Sequence, residues 1–128
     1  MGESGEWEKK MLFENTARVP LLIHNPDHSF HIRTTELAEL VDIYPTAASL
    51  AGLPLPTDVD GTDLSPLFAG SDAPKLKKAA FSQFPRCPDD NAVTHHVCFN
   101  TNDTEFPFMG FSVRVSMWRY TEVTSPFT

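Results

Sequence analysis

Two cysteines and two adjacent histidines lie in one long segment, residues 85–107, that has no hydrophobic period and is predicted to be a loop. Cys87, His95, His96 and Cys98 could be imagined around a zinc ion. Adjacent histidine side chains rarely reach one ion together, however, and the spacing fits no standard zinc finger. Turn-forming residues between the cysteines favour a tight return of the chain. We therefore predict a Cys87–Cys98 disulfide, with two free thiols as the alternative.

Other catalytic arrangements have weaker support in the sequence. Ser82, Asp89 and His95 could form a hydrolytic triad on paper, but no serine lies in a Gly-x-Ser-x-Gly turn. No glycine-rich phosphate loop is present either. Asn102-Asp103-Thr104 is an N-glycosylation acceptor. With the cysteines, it indicates an oxidising, glycosylating compartment.

The charge balance argues against a nucleic-acid-binding protein. The chain has 128 residues, about one domain, with Lys+Arg 10, Asp+Glu 17 and a net charge of -7. Binding to a phosphate backbone requires a basic face, whereas a single anionic group needs only a local pocket of cations. No apolar run is long enough to span a membrane, and the first residues do not resemble a signal peptide.

Apolar spacing predicts a strand and two helices in the first half of the chain. Residues 18–24 form a short apolar run that suits a buried strand. A helix capped by a threonine is predicted over residues 34–44. Pro45 ends that helix and lies in the first turn of a second helix, over residues 46–51, which Gly52 ends.

The second half is predicted to form an antiparallel sheet. Residues 64–68 suit a short helical turn, and the polar residues 70–78 suit a linker. Residues 79–84 read as a strand. Residues 110–117 alternate between apolar and polar side chains, and residues 118–123 read as their antiparallel partner.

The order of several short motifs resembles the sulfatase family. The matching segments, in chain order, are GESGEWEK (2–9), FE (13–14), RVPLL (18–22), ELVDIYPT (39–46), LAGL (50–53) and DGTDLSPL (60–67). Ser4 stands where the family usually has histidine. Three later segments resemble the iduronate 2-sulfatase group in particular: FSQFPR (81–86), MGFSVR (109–114) and WRYT (118–121).

This resemblance implies an α/β fold, the C-terminal portion of an alkaline-phosphatase-like sulfatase fold with a small antiparallel-sheet C-terminal subdomain. Residues 1–70 would be the C-terminal part of the catalytic domain, and residues 71–128 would be that subdomain, incomplete. The strand at residues 18–24 would belong to a large sheet whose other strands this chain lacks. We therefore expect the isolated chain to be marginally folded or to aggregate.

The resemblance also implies hydrolysis of sulfate esters by a formylglycine nucleophile, with a calcium ion that binds the sulfate. Neither Cys87 nor Cys98 heads the nucleophile motif, and the calcium-binding acids of the family are absent from this chain. Lys9 matches the family's sulfate-contacting lysine, whose ammonium would offset charge developing on the ester oxygens. His95 or His96 could contact a uronate or a sulfate of the substrate, and exposed loop histidines are the alternative.

The resemblance thus predicts part of a sulfuric ester hydrolase that acts on heparan and dermatan sulfate, in lysosomes or secreted. The chain would be inactive without its partner, the N-terminal sulfatase portion. The alternative is a noncatalytic binding module for sulfated glycans, built on Lys9, Arg114 and Arg119. Three aromatic residues in the predicted strands are expected to be core rather than sugar platforms: Phe111, Trp118 and Tyr120.

Overall fold

The computed structural model describes residues 11–27, 31–55, 57–86, 101–102 and 104–125. The α-helices are α1 (Glu14–Ala17) and α2 (Ile43–Leu50), the 3₁₀ segments are Leu40–Asp42 and Ser65–Asp72, and the strands are β1 (Ala80–Arg86), β2 (Phe108–Arg114) and β3 (Arg119–Thr124). None of the helices in the described ranges has the length and hydropathy needed to cross a membrane.

The three strands form one sheet in the order β1-β2-β3. Strands β2 and β3 are antiparallel, and Arg114 lies opposite Arg119 at the end of the hairpin. The turn between them is closed by Val115, whose N–H donates to the carbonyl of Trp118 at 2.8 Å. The predicted strand at residues 79–84 and the predicted hairpin are confirmed, although the turn takes residues from both predicted hairpin strands.

The chain divides into two compact units. The first unit contains the described residues up to Val19 together with those from Phe81 onward, and the second is Pro20–Ala80. In the first unit Leu12 is buried against the sheet, because Gly110 leaves room for it. A Cβ atom on Gly110 would lie 2.8 Å from Leu12 Cδ1. The predicted division into two domains at residue 70 stays a prediction.

The helix predicted over residues 34–44 is wrong in its start, since helical structure begins only at Leu40. Thr34 instead closes a local turn, its hydroxyl accepting a backbone N–H two residues later at 3.1 Å. Asp42 and Glu39 fix the actual start. Asp42 Oδ2 accepts the Glu39 N–H at 2.7 Å, and the Glu39 side chain accepts the Asp42 N–H in return. This reciprocal cap outweighs the threonine signal.

The second predicted helix is confirmed as α2, with bounds shifted by a few residues. Pro45 lies in its first turn, where the missing N–H removes no helical hydrogen bond. Gly52 has φ 67°, a left-handed conformation that ends the helix. The Leu53 N–H then donates to the carbonyl of Ala48 at 2.9 Å. The helical turn predicted at residues 64–68 is confirmed within the second 3₁₀ segment.

The strand predicted over residues 18–24 is wrong for the chain as described. These residues follow α1 without any strand assignment, and Leu22 is 88% exposed. A strand exists only through hydrogen bonds to a neighbouring strand, and no described residue pairs with this run. The run is apolar as the sequence indicates, but none of the described residues supplies a strand that pairs with it.

Candidate functional site

Most of the predicted site residues lie outside the part of the chain that the structure describes. This applies to Lys9, to both histidines and to the predicted disulfide, that is Cys87, His95, His96 and Cys98. Their roles therefore stay predictions. Asn102 is described, as are Arg114 and Arg119 of the alternative binding module.

Asn102 lies exposed on a turn ahead of β2. The Glu105 N–H donates to the Asn102 carbonyl at 2.9 Å, and Glu105 Oε1 accepts from Asn102 Nδ2 at 3.0 Å. Turns of this kind leave the amide accessible at the surface, as a glycosylation acceptor requires.

Arg114 and Arg119 converge on a single carboxylate, which we call the Glu14 cluster. Their Nε atoms lie 3.1 and 3.0 Å from the same oxygen, Glu14 Oε2. Partial burial raises the pKa of Glu14, but the hydrogen bond from Arg119 and the two positive charges lower it more. The net result is that the pKa of Glu14 lies below its ordinary value. Glu14 is therefore held as a carboxylate that balances one of two cations.

A second nitrogen of each arginine, Nη1, is also engaged. Arg119 donates to Ser112 Oγ at 3.0 Å and to the Leu12 carbonyl at 3.4 Å. Arg114 donates to the carbonyls of Val115 and Trp118 within the hairpin turn. The arrangement ties the residues around α1 to the hairpin, which is a structural role. Two of the three nitrogens of each guanidinium are thus used within the molecule, and this weighs against the binding-module alternative.

A second ionic arrangement, the Asp42 cluster, joins Asp42, Lys77 and Glu39 in the other unit. Asp42 is fully buried, and both of its oxygens accept from Lys77 Nζ at 2.8 Å. Lys77 also pairs with Glu39. Burial lowers the pKa of Lys77, but its hydrogen bonds to Asp42 and Glu39 raise it more, so the pKa of Lys77 lies above its ordinary value. The lysine is therefore held charged.

Asp42 and Thr46 also fasten the segment that follows α2. Asp42 Oδ1 accepts the Thr62 N–H at 2.7 Å, and Thr46 Oγ1 accepts the Leu64 N–H at 2.9 Å. Gly61 makes the close approach possible, because a Cβ there would collide with the carbonyl of residue 41. The motifs at residues 39–46 and 60–67 are thus packed against one another and joined by buried hydrogen bonds.

Sequence reasoning missed the Asp42 cluster, because the lysine and the aspartate are 35 residues apart. The signal that could have found it is an acidic residue one turn ahead of a buried threonine, followed by a glycine that permits close contact. The polar composition of residues 70–78 predicts a linker, whereas Lys77 within it is only 10% exposed.

The described residues offer no metal site. No group of three or more His, Cys, Asp or Glu side chains in these ranges could hold an ion. Two of the described acids, Asp42 and Glu14, pair with cations instead, namely Lys77, Arg114 and Arg119. The described acids therefore do not form a calcium site.

The expectation that the sheet aromatics are core is wrong. Phe111, Trp118 and Tyr120 are 46%, 77% and 62% exposed. The Tyr120 hydroxyl donates to Glu122 Oε2 at 3.2 Å, and the charge of Glu122 raises the pKa of Tyr120. Trp118 lies in the turn between β2 and β3 rather than in a strand, and the described residues cover little of the side of the sheet that carries Phe111 and Tyr120.

Comparison with known proteins gives a consistent family. The family described as N-sulphoglucosamine sulphohydrolase, C-terminal, matches residues 2–125. N-acetylglucosamine-6-O-sulfatase of Bacteroides thetaiotaomicron is 28% identical over 121 residues, which is 92% of this chain and 21% of that protein. Human arylsulfatase A is 40% identical over 83 residues, 64% of this chain and 16% of that protein. Mouse iduronate 2-sulfatase is 28% identical over 165 aligned residues, 94% of this chain and 29% of that protein.

A solved structure of a 2-O GAG sulfatase is also similar, with a TM-score of 0.45 and 21% sequence identity. The match covers 66% of this chain and 15% of the chain in that structure. The chain spans less than a third of the length of each relative named here. The resemblance predicted from sequence is confirmed, and so is the antiparallel sheet expected of a sulfatase C-terminal region. Because one family matches nearly the whole chain, this chain belongs to the sulfatases, as a C-terminal region of the N-sulphoglucosamine sulphohydrolase type.

Proposed function

We propose that this chain is the C-terminal portion of a sulfuric ester hydrolase that acts on sulfated glycosaminoglycans. The observation that carries the proposal is the family match over residues 2–125. Within the family we favour an activity like that of iduronate 2-sulfatase, on heparan and dermatan sulfate. The motifs at residues 81–86, 109–114 and 118–121 support this choice. A lysosomal or secreted location is part of the proposal, supported by the cysteine pair and the Asn102 acceptor.

The chain alone would be inactive, because it supplies neither the formylglycine motif nor calcium-binding acids. We expect both in an N-terminal portion, which would be its obligatory partner. The test is sulfate release from a 2-sulfated iduronate disaccharide by the chain alone and by a protein that includes the coding sequence upstream of Met1. Activity of the 128-residue chain alone would overturn the proposal. So would an upstream sequence without any formylglycine motif.

Lys9 would act directly on the substrate in this enzyme. Its ammonium would lie beside the ester oxygens and stabilise the charge that develops as the S–O bond breaks. Lys10 gives a matched control, because it is the same residue type one position later. In the full-length enzyme, Lys9→Ala should lower kcat by about 10²–10³, the usual cost of removing one such group, while Lys10→Ala should change it little. Equal kcat values for the two variants would remove Lys9 from the mechanism.

His95 and His96 are proposed substrate contacts rather than catalytic groups. A contact to a uronate or sulfate made equally in the ground and transition states should affect KM and leave kcat unchanged. The substitutions His95→Gln and His96→Gln test this in the full-length enzyme. If neither changes KM, they are exposed loop residues.

Asn102 is proposed to carry an N-linked glycan, and Cys87 and Cys98 to form a disulfide. The exposed turn held by Glu105 supports the first proposal. After secretion from a eukaryotic host, treatment with an amidase that removes N-glycans should shift the mobility of the wild type. The shift from this position should disappear in Asn102→Gln and persist in Asn100→Gln. Peptide mapping without reduction would test the disulfide.

The alternative function, a noncatalytic binding module for sulfated glycans, has less support. The Glu14 cluster occupies the two arginines on which it depends, and the net charge is -7. Retention on a heparin column distinguishes the two proposals. Elution at very low salt, unaltered by Lys9→Ala, would exclude the binding module.

A further inference from the structure

The Glu14 cluster lies only a few residues after Lys9 in the chain. Lys9 is three residues before Leu12 and five residues before Glu14. A stretch of three residues spans at most about 11 Å, even when it is fully extended. Whatever holds Leu12 and Glu14 in place therefore also restricts the positions open to Lys9.

Three contacts hold Leu12 and Glu14 to the hairpin of β2 and β3. The Leu12 side chain lies over Gly110, where an added Cβ atom would be 2.8 Å from Leu12 Cδ1. The Leu12 carbonyl accepts from Arg119 Nη1 at 3.4 Å. The Glu14 carboxylate accepts from the Nε atoms of Arg114 and Arg119. The residues that follow Lys9 are thus attached to strands that lie about 100 residues later in the chain.

The exposure of the cluster separates positioning from folding. The Glu14 side chain is 43% exposed, and ion pairs of partly exposed groups add little to stability. Charged hydrogen bonds from guanidinium groups are nevertheless directional, and two of them to one oxygen restrict the carboxylate to a narrow range of positions. Loss of the carboxylate charge should therefore leave the hairpin folded while the residues around α1 shift.

We infer that Glu14 and Arg119 are positioning residues for Lys9, with Arg114 as the second donor to the same carboxylate. This inference rests on the proposed function, because it needs Lys9 to contact the sulfate ester. Both residues act through Lys9 and need no contact with the substrate. Misplacement of a reacting group by about 1 Å can cost about 10² in rate, so a small shift of the segment is enough to slow the reaction.

A double-mutant cycle in the full-length enzyme tests the inference. Glu14→Gln should lower kcat for sulfate release about tenfold and leave KM nearly unchanged. In a Lys9→Ala background the same substitution should change kcat by less than about twofold, because residues that act through one another are not additive. Glu122→Gln is the matched control, since it removes an exposed carboxylate from the same hairpin that pairs with Tyr120 instead. Its kcat should equal that of the wild type.

Arg119→Lys provides a second variant that keeps the positive charge. A single ammonium cannot reproduce the contacts that Nε and Nη1 make to Glu14 and to the Leu12 carbonyl. It should also lower kcat, and again only where Lys9 is present. Exchange of the Val115 amide checks that each variant retains the hairpin. If Glu14→Gln gives no folded enzyme, the cycle with Arg119→Lys decides.

Two results would overturn the inference in an enzyme that releases sulfate. The first is a wild-type kcat in the folded Glu14→Gln variant. The second is an equal loss of kcat with and without Lys9, which would mean that the cluster does not act through the lysine. A wild type that releases no sulfate would instead defeat the proposed function, and a wild-type kcat in Lys9→Ala would defeat the role of Lys9. The inference would fall with either.

Discussion

The Asp42 cluster and the Glu14 cluster both join residues distant in sequence, but they differ in burial. Asp42 is 0% exposed and Lys77 10%, whereas Glu14 is 43% exposed. In the Asp42 cluster, the Asp42 carboxylate also accepts backbone N–H groups. The Glu14 cluster is mainly a contact among side chains. Buried charges must keep their partners because water cannot replace them. The Asp42 cluster therefore fixes the local fold, while the Glu14 cluster only adds to its stability.

Removing the lysine from the Asp42 cluster should have the largest effect. Lys77→Met leaves the buried charge of Asp42 without its cation, which typically costs about 3–5 kcal/mol. Hydrogen exchange of the Thr62 amide in the full-length enzyme measures this, because that amide donates to Asp42. The matched control is Lys78→Met, the next residue and exposed. Equal exchange of the Thr62 amide in both variants would show that burial does not distinguish the clusters.

Removing one hydroxyl from the same region should have a smaller effect. Thr46→Val keeps the shape of the side chain but leaves the buried Leu64 N–H without an acceptor. A buried unsatisfied group of this kind costs about 1–3 kcal/mol. Exchange of the Leu64 amide should accelerate accordingly, and Thr35→Val at an exposed site should leave it unchanged. If Thr46→Val proves neutral, a water or a shifted carbonyl must replace the hydroxyl.

Local signals in the sequence predicted the sheet and the end of α2, but not the ion pairs. Strand alternation from residue 110 and the left-handed Gly52 depend on near neighbours, so a single sequence reveals them. The start of the helix at Leu40 depends on the reciprocal cap between Asp42 and Glu39, and the same aspartate binds Lys77 from 35 residues away. Residues 18–24 were read as a strand from composition alone, and pairing requires segments that the described residues do not supply.

The two clusters should respond to opposite ends of the pH range. The pKa of Lys77 is raised above 10.5, so its stabilisation is complete below that value and is lost as pH rises through the folded pKa. The pKa of Glu14 is lowered below 4.5, so its stabilisation is complete above that value and is lost as pH falls through the folded pKa. The measurement is hydrogen exchange across the pH range, in which the Thr62 amide is compared with the amides of the hairpin. Acid sensitivity confined to residues 40–64 would contradict it.

The smallest effect is expected from neutralising the carboxylate of the Glu14 cluster. Glu14→Gln should destabilise the hairpin by about 1 kcal/mol or less, because partly exposed ion pairs are screened by water and salt. The measurement is exchange of the Val115 amide, which closes the hairpin turn, at low and high salt.

The same variant also bears on glycan binding, because it removes the negative charge that two guanidinium groups share. Heparin retention of the full-length enzyme should therefore increase in Glu14→Gln, with Glu105→Gln as a control that removes one charge from an exposed turn. If both variants gain equally, net charge alone sets the retention. If wild type already binds as tightly as Glu14→Gln, the arginines are accessible despite their carboxylate, and the structural role assigned to them would have to be abandoned.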